Sequence, residues 1–272
     1  MTGNPQHPAE GQLPKAPLRE GSKASVFQPA SWKRLLLRPD SLLFLLSIAL
    51  FLFWPDIDLA VSQWFYDAQR GFEWRNDPTV LAIYQGTSVL GLLALLVPLA
   101  MLLAKCVWKH QCLIPRRRVC VYLLAVALVG PGILVNLTLK QHWERPRPRQ
   151  VVEFGGERQY EPPFAPRFEC SKCRSFVSGH ASVGFFFFSV ALLLGNRRWL
   201  WLPILGGGII GLVRMLQGAH FLSDVIFSGW VVWFCSLLIY SLFFGRSSCG
   251  QAVAEGKDGS DSAAVDGSGR VT

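Results

Sequence analysis

The chain has 272 residues, of which 51% are hydrophobic and 17% charged, with a formal net charge of +9. Soluble domains carry about a quarter charged residues, so an ordinary cytosolic enzyme is excluded, and 19 Phe with 10 Trp exclude a chain disordered throughout. Seven cysteines are too few and too scattered for a disulfide framework at this length. The composition is that of a membrane protein, and no nucleic-acid partner is expected.

A helix crossing the bilayer needs roughly 20 mostly apolar residues. In chain order, apolar stretches fall at about 39–54, 80–107, 119–139, 181–194, 199–216 and 221–244. They predict an all-α fold, a six-helix transmembrane bundle occupying residues 31–246. The first stretch competes with a cleaved signal peptide, but it begins near Ser41 after a long polar leader and no A-x-A-like site follows, so a retained helix is expected. Pro98 and Pro131 interrupt the second and third stretches. The fourth is short, and Gly206–Gly208 with Gly211 in the fifth suit close helix approach. Residues 1–30 and 247–272 are polar and aperiodic, which predicts disordered tails.

Lysine and arginine near span ends predict orientation. Lys33, Arg34 and Arg38 precede the first span; Lys105, Lys109 and Arg116–Arg118 join the second to the third; Arg197, Arg198 and Arg246 flank the last ones. All of these segments, and both termini, are expected on the cytoplasmic side. The first loop, with Asp56, Asp58, Asp67, Glu73 and Asp77, is acidic and faces outward. The loop 140–176 must also face outward, although it carries Lys140, Arg145, Arg147, Arg149, Arg158, Arg167, Lys172 and Arg174. Either an anionic ligand explains that cluster, or a long loop simply translocates regardless of charge.

Ionisable residues at span ends are costly and mark function. Lys140 opens K-x6-R-P, completed by Arg147 and Pro148; Ser178–Gly179–His180 opens the fourth span; Arg214, His220 and Asp224 form R-x5-H-x3-D. The predicted topology brings all three to the outward side. His220 and Asp224, four residues apart, share a face if the last helix starts near His220. The carboxylate then holds one imidazole nitrogen and leaves the other as a nucleophile. Arg147 and Arg214 suit bidentate contact with phosphate oxygens, and Lys140 supplies a point charge. Ser178 and Gly179 offer a hydroxyl and backbone N–H groups, and His180 a proton for a leaving oxygen. This is a set of parts for phosphoryl transfer without a metal.

These nine residues resemble the tripartite signature of the type 2 phosphatidic acid phosphatase superfamily: K-x6-R-P, then P-S-G-H, then S-R-x5-H-x3-D. Val177 and Val213 stand where that pattern has Pro and Ser. Losing the Pro removes a helix-start device, and losing the Ser removes one ligand hydroxyl. The resemblance implies that His220 attacks phosphorus to form a phosphohistidine, with Asp224 aligning it. It implies that His180 protonates the departing oxygen, that Lys140, Arg147, Ser178, Gly179 and Arg214 hold the phosphoryl oxygens, and that no metal or cofactor is needed. The substrate is then a lipid phosphomonoester or pyrophosphate in a bacterial inner membrane, attacked from the periplasmic side. Phosphatidic acid and phosphatidylglycerophosphate are admissible, and the basic loop favours lipid A or undecaprenyl pyrophosphate. A lipid phosphotransferase using the same intermediate and a non-catalytic lipid binder or transporter are the alternatives.

Outside the signature, Arg145, Arg149 and Arg174 are expected on a solvated loop face, and His142 is given no chemical task. Cys170 and Cys173 form either a short-range disulfide or two free thiols. The other cysteines serve as small apolar residues, and Phe185–Phe188 as lipid-facing or packing surface.

Overall fold

A computed structural model describes residues 38–107, 115–165 and 173–245. The predicted tails and Cys170 lie outside these residues. Among the described residues there is no strand: two isolated bridges are the only β-type pairing. The fold is an all-α membrane bundle.

Helix α1 (Pro39–Phe53) starts with Pro at its first position and Asp40 in its first turn, both favoured there. Asp40 is held by Arg38 at 3.0 Å and by the Trp233 indole N–H at 3.0 Å. The helix stops before Pro55, because the residue preceding a proline is driven out of the helical region; Trp54 has φ −131°. The chain then bends by 83° into α2 (Ile57–Gln63). The predicted acidic outward loop therefore contains a short helix, and Asp58 within it is fully buried. Next, α3 (Pro78–Val107) is capped by Asp77, whose Oδ1 accepts from the Thr79 and Val80 N–H groups.

Helix α4 (Arg117–Ala127) continues without a break into a π-helical stretch, Leu128–Leu139, and a last turn, Lys140–His142. Pro131 explains the widening. It lacks an N–H and its ring crowds the carbonyl four residues back. Asn136 Nδ2 and Thr138 Oγ1 instead donate to carbonyls five residues back, those of Pro131 (2.7 Å) and Ile133 (3.0 Å).

The predicted fourth span is two short helices, α5 (Gly179–Phe185) and α6 (Phe188–Leu194). Phe185, Phe186 and Phe188 are buried, so the phenylalanine run is packing surface. Helix α7 (Trp201–Leu216) crosses α5 at close range: a Cβ on Gly184 would collide with the Gly207 backbone, and one on Gly207 with Phe185. Gly206 and Gly208 face open space. Helix α8 (Leu222–Phe244) is the hub, packing on α5, α6, α7 and α4.

Four helical segments are long and apolar enough to cross a membrane: Pro78–Lys105, Arg117–His142, Arg197–Leu216 and Leu222–Phe244. The bent pair α1–α2 makes a fifth, and Gly179–Leu194 is a shorter apolar segment. All six apolar stretches read from the sequence are thus helical. Their outer faces remain apolar, with Leu46, Leu103 and Leu242 more than half exposed, as a lipid-facing surface requires. Phe51, Val135, Phe176, Val177 and Phe227 form the apolar cluster beneath the polar end.

Candidate active site

The three sequence groups converge at one end of the bundle. Lys140 ends the α4 span, Ser178–His180 opens α5, Arg214 lies in the last turn of α7, and His220 precedes α8. The chain between them is stitched by backbone bonds: Arg149 N–H donates to Gly218 C=O at 3.1 Å, and Ser178 N–H to Asp224 C=O at 3.0 Å. His180 lies within electrostatic reach of His220, Arg214, Lys140 and Arg147.

His220 is not on the last helix, as the spacing suggested, but in the turn before it. Phe221 is the N-cap and Asp224 the third helical residue, whose Oδ2 accepts from the Phe221 N–H at 2.8 Å. Asp224 thereby caps its own helix and faces His220, with Nδ1 3.5 Å from Oδ2. That separation is long for a hydrogen bond, and neither imidazole nitrogen has another partner. Catalytic contacts of this kind commonly tighten only around substrate. Burial pushes the His220 imidazole down to about 4, against the opposing pull of Asp224.

Positive charge gathers without carboxylates to absorb it. Among the described residues no acid pairs with Lys140, Arg147 or Arg214. Arg214 is 7% exposed; its Nη1 donates to Gln217 Oε1, and its Nε–H is buried with no partner. A buried donor left unmade is expensive, and the group is placed to receive an anion. Arg147 is half-buried at the start of a short 3-10 turn, its N–H donating to Gln150 Oε1 at 2.9 Å.

Gly179 has a steric reason: a Cβ there would collide with Asn136 Oδ1, the residue that bonds the π-helical turn. Ser178 caps α5, accepting from Ala181 N–H at 3.4 Å. Val177, at the position of the missing Pro, is fully buried against Phe51 and Phe227. Val213 is buried beside Arg214.

Several residues that shape the site stand outside the signature. Tyr84 of α3 stacks on His180, ring centroids 4.7 Å apart at 26°, and the Arg214 guanidinium lies 4.7 Å from the same ring. Arg145, expected on a solvated face, is instead fully buried. Its Nη1 donates to Asp224 Oδ1 (2.7 Å) and Ser223 Oγ (2.8 Å), its Nη2 to Asp58 Oδ2 (2.8 Å), and its Nε to Glu161 C=O (2.8 Å). Burial opposes the guanidinium charge, but Asp224 and Asp58 overcome it and push its pKa up. Ser175 Oγ completes the shell of Asp224 Oδ2. The acid inside the apolar run Ile57–Asp58–Leu59 was a legible signal for Asp58; nothing in the sequence singles out Tyr84. Arg174 is exposed and Arg149 half-buried. His142 is exposed and bonds Thr138 C=O at 2.7 Å. Cys173 is buried and disulfide-bonded, so it is not a free thiol. Among the described residues no three His, Cys, Asp or Glu side chains group as metal ligands.

The PAP2 superfamily profile matches residues 118–248, the stretch that holds all three motifs. The chain is 40% identical to the lipid A 4′-phosphatase of Francisella tularensis subsp. novicida over 134 residues, 47% of this chain and 60% of that protein. It is 30% identical to the lipid A 4′-phosphatase of Rhizobium leguminosarum over 213 residues, 71% of this chain and 88% of the relative. It is 34% identical to the lipid A 1-phosphatase of Rhizobium johnstonii over 139 residues, half of this chain and 52% of that protein. No solved structure matches it significantly. The chain belongs to the PAP2 superfamily, and it is a membrane protein similar to bacterial lipid A phosphatases.

Proposed function

We propose that the protein is a membrane lipid phosphatase that hydrolyses a phosphomonoester of lipid A through a phosphohistidine on His220. The observation that carries this reading is a set of buried nitrogens left without a hydrogen bond at one end of the bundle: the Arg214 Nε–H and the His220 ring nitrogens stand ready for an anion that no protein group supplies.

Asp224 lies on the Nδ1 side of His220, so the proton sits on Nδ1 and Nε2 carries the lone pair. Nε2 attacks phosphorus, a P–N bond forms and the ester P–O bond breaks. His180 gives its proton to the departing sugar oxygen; the phosphate dianion beside it favours the imidazolium form needed for that. Water then attacks phosphorus while His180 takes back a proton, and the P–N bond breaks to free phosphate. Arg214, Arg147 and Lys140 hold the equatorial oxygens, whose charge peaks in the transition state, with Ser178 and Gly179 beneath. The positive charge this requires comes from the chain's own cations, so the reading includes no metal or cofactor.

The 4′ ester is favoured because a relative named for it matches over 88% of its own length. The outward, periplasmic placement in a bacterial inner membrane rests on charge asymmetry: Lys105, Arg116–Arg118, Arg197 and Arg198 flank the span ends opposite the site.

The test is free phosphate release from lipid A in detergent micelles, with isoprenyl pyrophosphate and glycerophospholipids in parallel. Wild type releases phosphate from lipid A and yields an acid-labile phosphoenzyme; His220→Ala does neither. Release that persists in His220→Ala overturns the mechanism, release abolished by chelator overturns its metal-free form, and labelled phosphate arriving on a second lipid identifies a phosphotransferase.

A further inference from the structure

Among the described residues, a fully buried chain of two carboxylates and one guanidinium lies behind the phosphate cradle. Arg145, Asp58, Asp224 and Ser223 are all fully buried. Arg145 bridges the two acids with separate nitrogens, Nη1 to Asp224 and Nη2 to Asp58. Its remaining donors are met by Ser223 Oγ, Glu161 C=O and, at 3.4 Å, Tyr160 Oη, and its plane lies 4.4 Å from the Phe221 ring centroid. Asp58 in turn accepts from the Ser223 N–H at 2.9 Å and from the Ser223 hydroxyl. A residue of α2, 165 positions away, thus caps the helix whose next residue is Asp224.

We propose that Asp58 and Arg145 are positioning residues for His220: together they fix the Asp224 carboxylate and leave the buried trio with one net negative charge. This rests on the phosphohistidine reading. A neutral imidazole that forms a P–N bond becomes cationic, and one net negative charge behind it balances that cation. Arg145 alone would neutralise Asp224; Asp58 restores the negative charge. Placing the two acids on one guanidinium also offsets part of their mutual repulsion.

The groups facing His220 are Asp224 from α8, Arg214 from α7, Lys140 from the end of the α4 span and His180 from α5. Three of these are basic and disfavour a protonated ring, so Asp224, backed by Arg145 and Asp58, is the one of the four that opposes them. Removing the Asp58 charge lets Arg145 draw fully on Asp224 and makes imidazolium harder to form.

The experiment compares Asp58→Asn and Asp58→Glu with wild type in lipid A phosphate release, recording kcat, KM and the pH profile of kcat/KM, with thermal melts in detergent. Asp58→Asn is expected to lower kcat roughly 10–100-fold, the scale on which outer partners of reacting groups act. KM stays within about twofold, and the acidic limb moves to lower pH. Asp58→Glu keeps the charge but displaces it, so kcat falls while the limb stays in place. A folded Asp58→Asn variant with wild-type kcat overturns the proposal, as does one whose kcat falls with the limb unmoved. If Asp58→Asn does not fold, Asp58→Glu decides by its kcat; if neither folds, the trio is a folding element and the proposal is overturned. His220→Ala runs beside them: activity retained there sinks the phosphohistidine reading, whereas an inactive His220→Ala with unaffected Asp58 variants sinks only this inference.

Discussion

His180 lies flat on Tyr84, their ring centroids 4.7 Å apart, and the guanidinium of Arg214 approaches the same ring to 4.7 Å. One aromatic side chain from a helix without any signature residue therefore orients both an imidazole and the guanidinium proposed to hold phosphate. Stacked aromatic pairs are worth about 0.5–1.5 kcal/mol and cation–π contacts about 0.5–2 kcal/mol. Tyr84→Leu, which removes both, is expected to lower kcat/KM about tenfold, while Tyr84→Phe, which keeps the ring, stays within about threefold. Steady-state phosphate release measures both; equal losses would show that the hydroxyl, not the ring, matters.

Arg214 is the most deeply placed of the uncompensated cations. Arg214→Lys keeps the charge but loses the planar fork and the buried Nε–H. A charge-assisted hydrogen bond contributes about 1.5–3 kcal/mol, so competitive inhibition by inorganic phosphate is expected to weaken by about tenfold or more. An unchanged inhibition constant would show that phosphate does not meet this side chain.

Burial depresses the His220 imidazole to about 4, so above that pH it is neutral and nucleophilic. Protonation removes the lone pair, and kcat/KM therefore falls as pH drops through about 4 rather than through the ordinary histidine range near 6.5. Initial rates between about pH 3.5 and 8 measure this. An acidic limb close to 6.5 would mean that the imidazole is hydrated and not enclosed.

Gly179→Ala tests the packing beneath the site. Its Cβ would meet Asn136 Oδ1, and overpacking of this kind costs about 1–3 kcal/mol. Both Tm and phosphate release are expected to fall. Asn136→Ala in the same chain removes the obstacle, so the double variant regains Tm relative to Gly179→Ala; additive losses would place the strain elsewhere.

Membrane class, the six helices and the nine signature residues were readable from the order of residues, because they depend on local quantities: runs of apolar side chains, lysine and arginine at span ends, and short fixed spacings. Val177 and Val213 were readable in the same way as departures. Asp58 and Arg145 were not placed correctly. Asp58 is marked only as an acid inside an apolar run and Arg145 only as one of many basic loop residues, and the buried ion pair joins positions 58 and 145 only after the bend at Pro55 folds α2 over the start of α8. The break of the fourth span into α5 and α6 escaped notice for a related reason, since a continuous apolar run does not record where a helix yields to its neighbours. Tyr84 is the plainest case: a tyrosine in an apolar helix carries no local mark of function, and its role exists only because α3 packs against both α5 and α7. Short-range pattern thus specifies which chemistry is present, while the way helices pack over long sequence separations specifies which charges are paired and which remain open to an anion, because burial and electrostatic pairing are properties of neighbours in space.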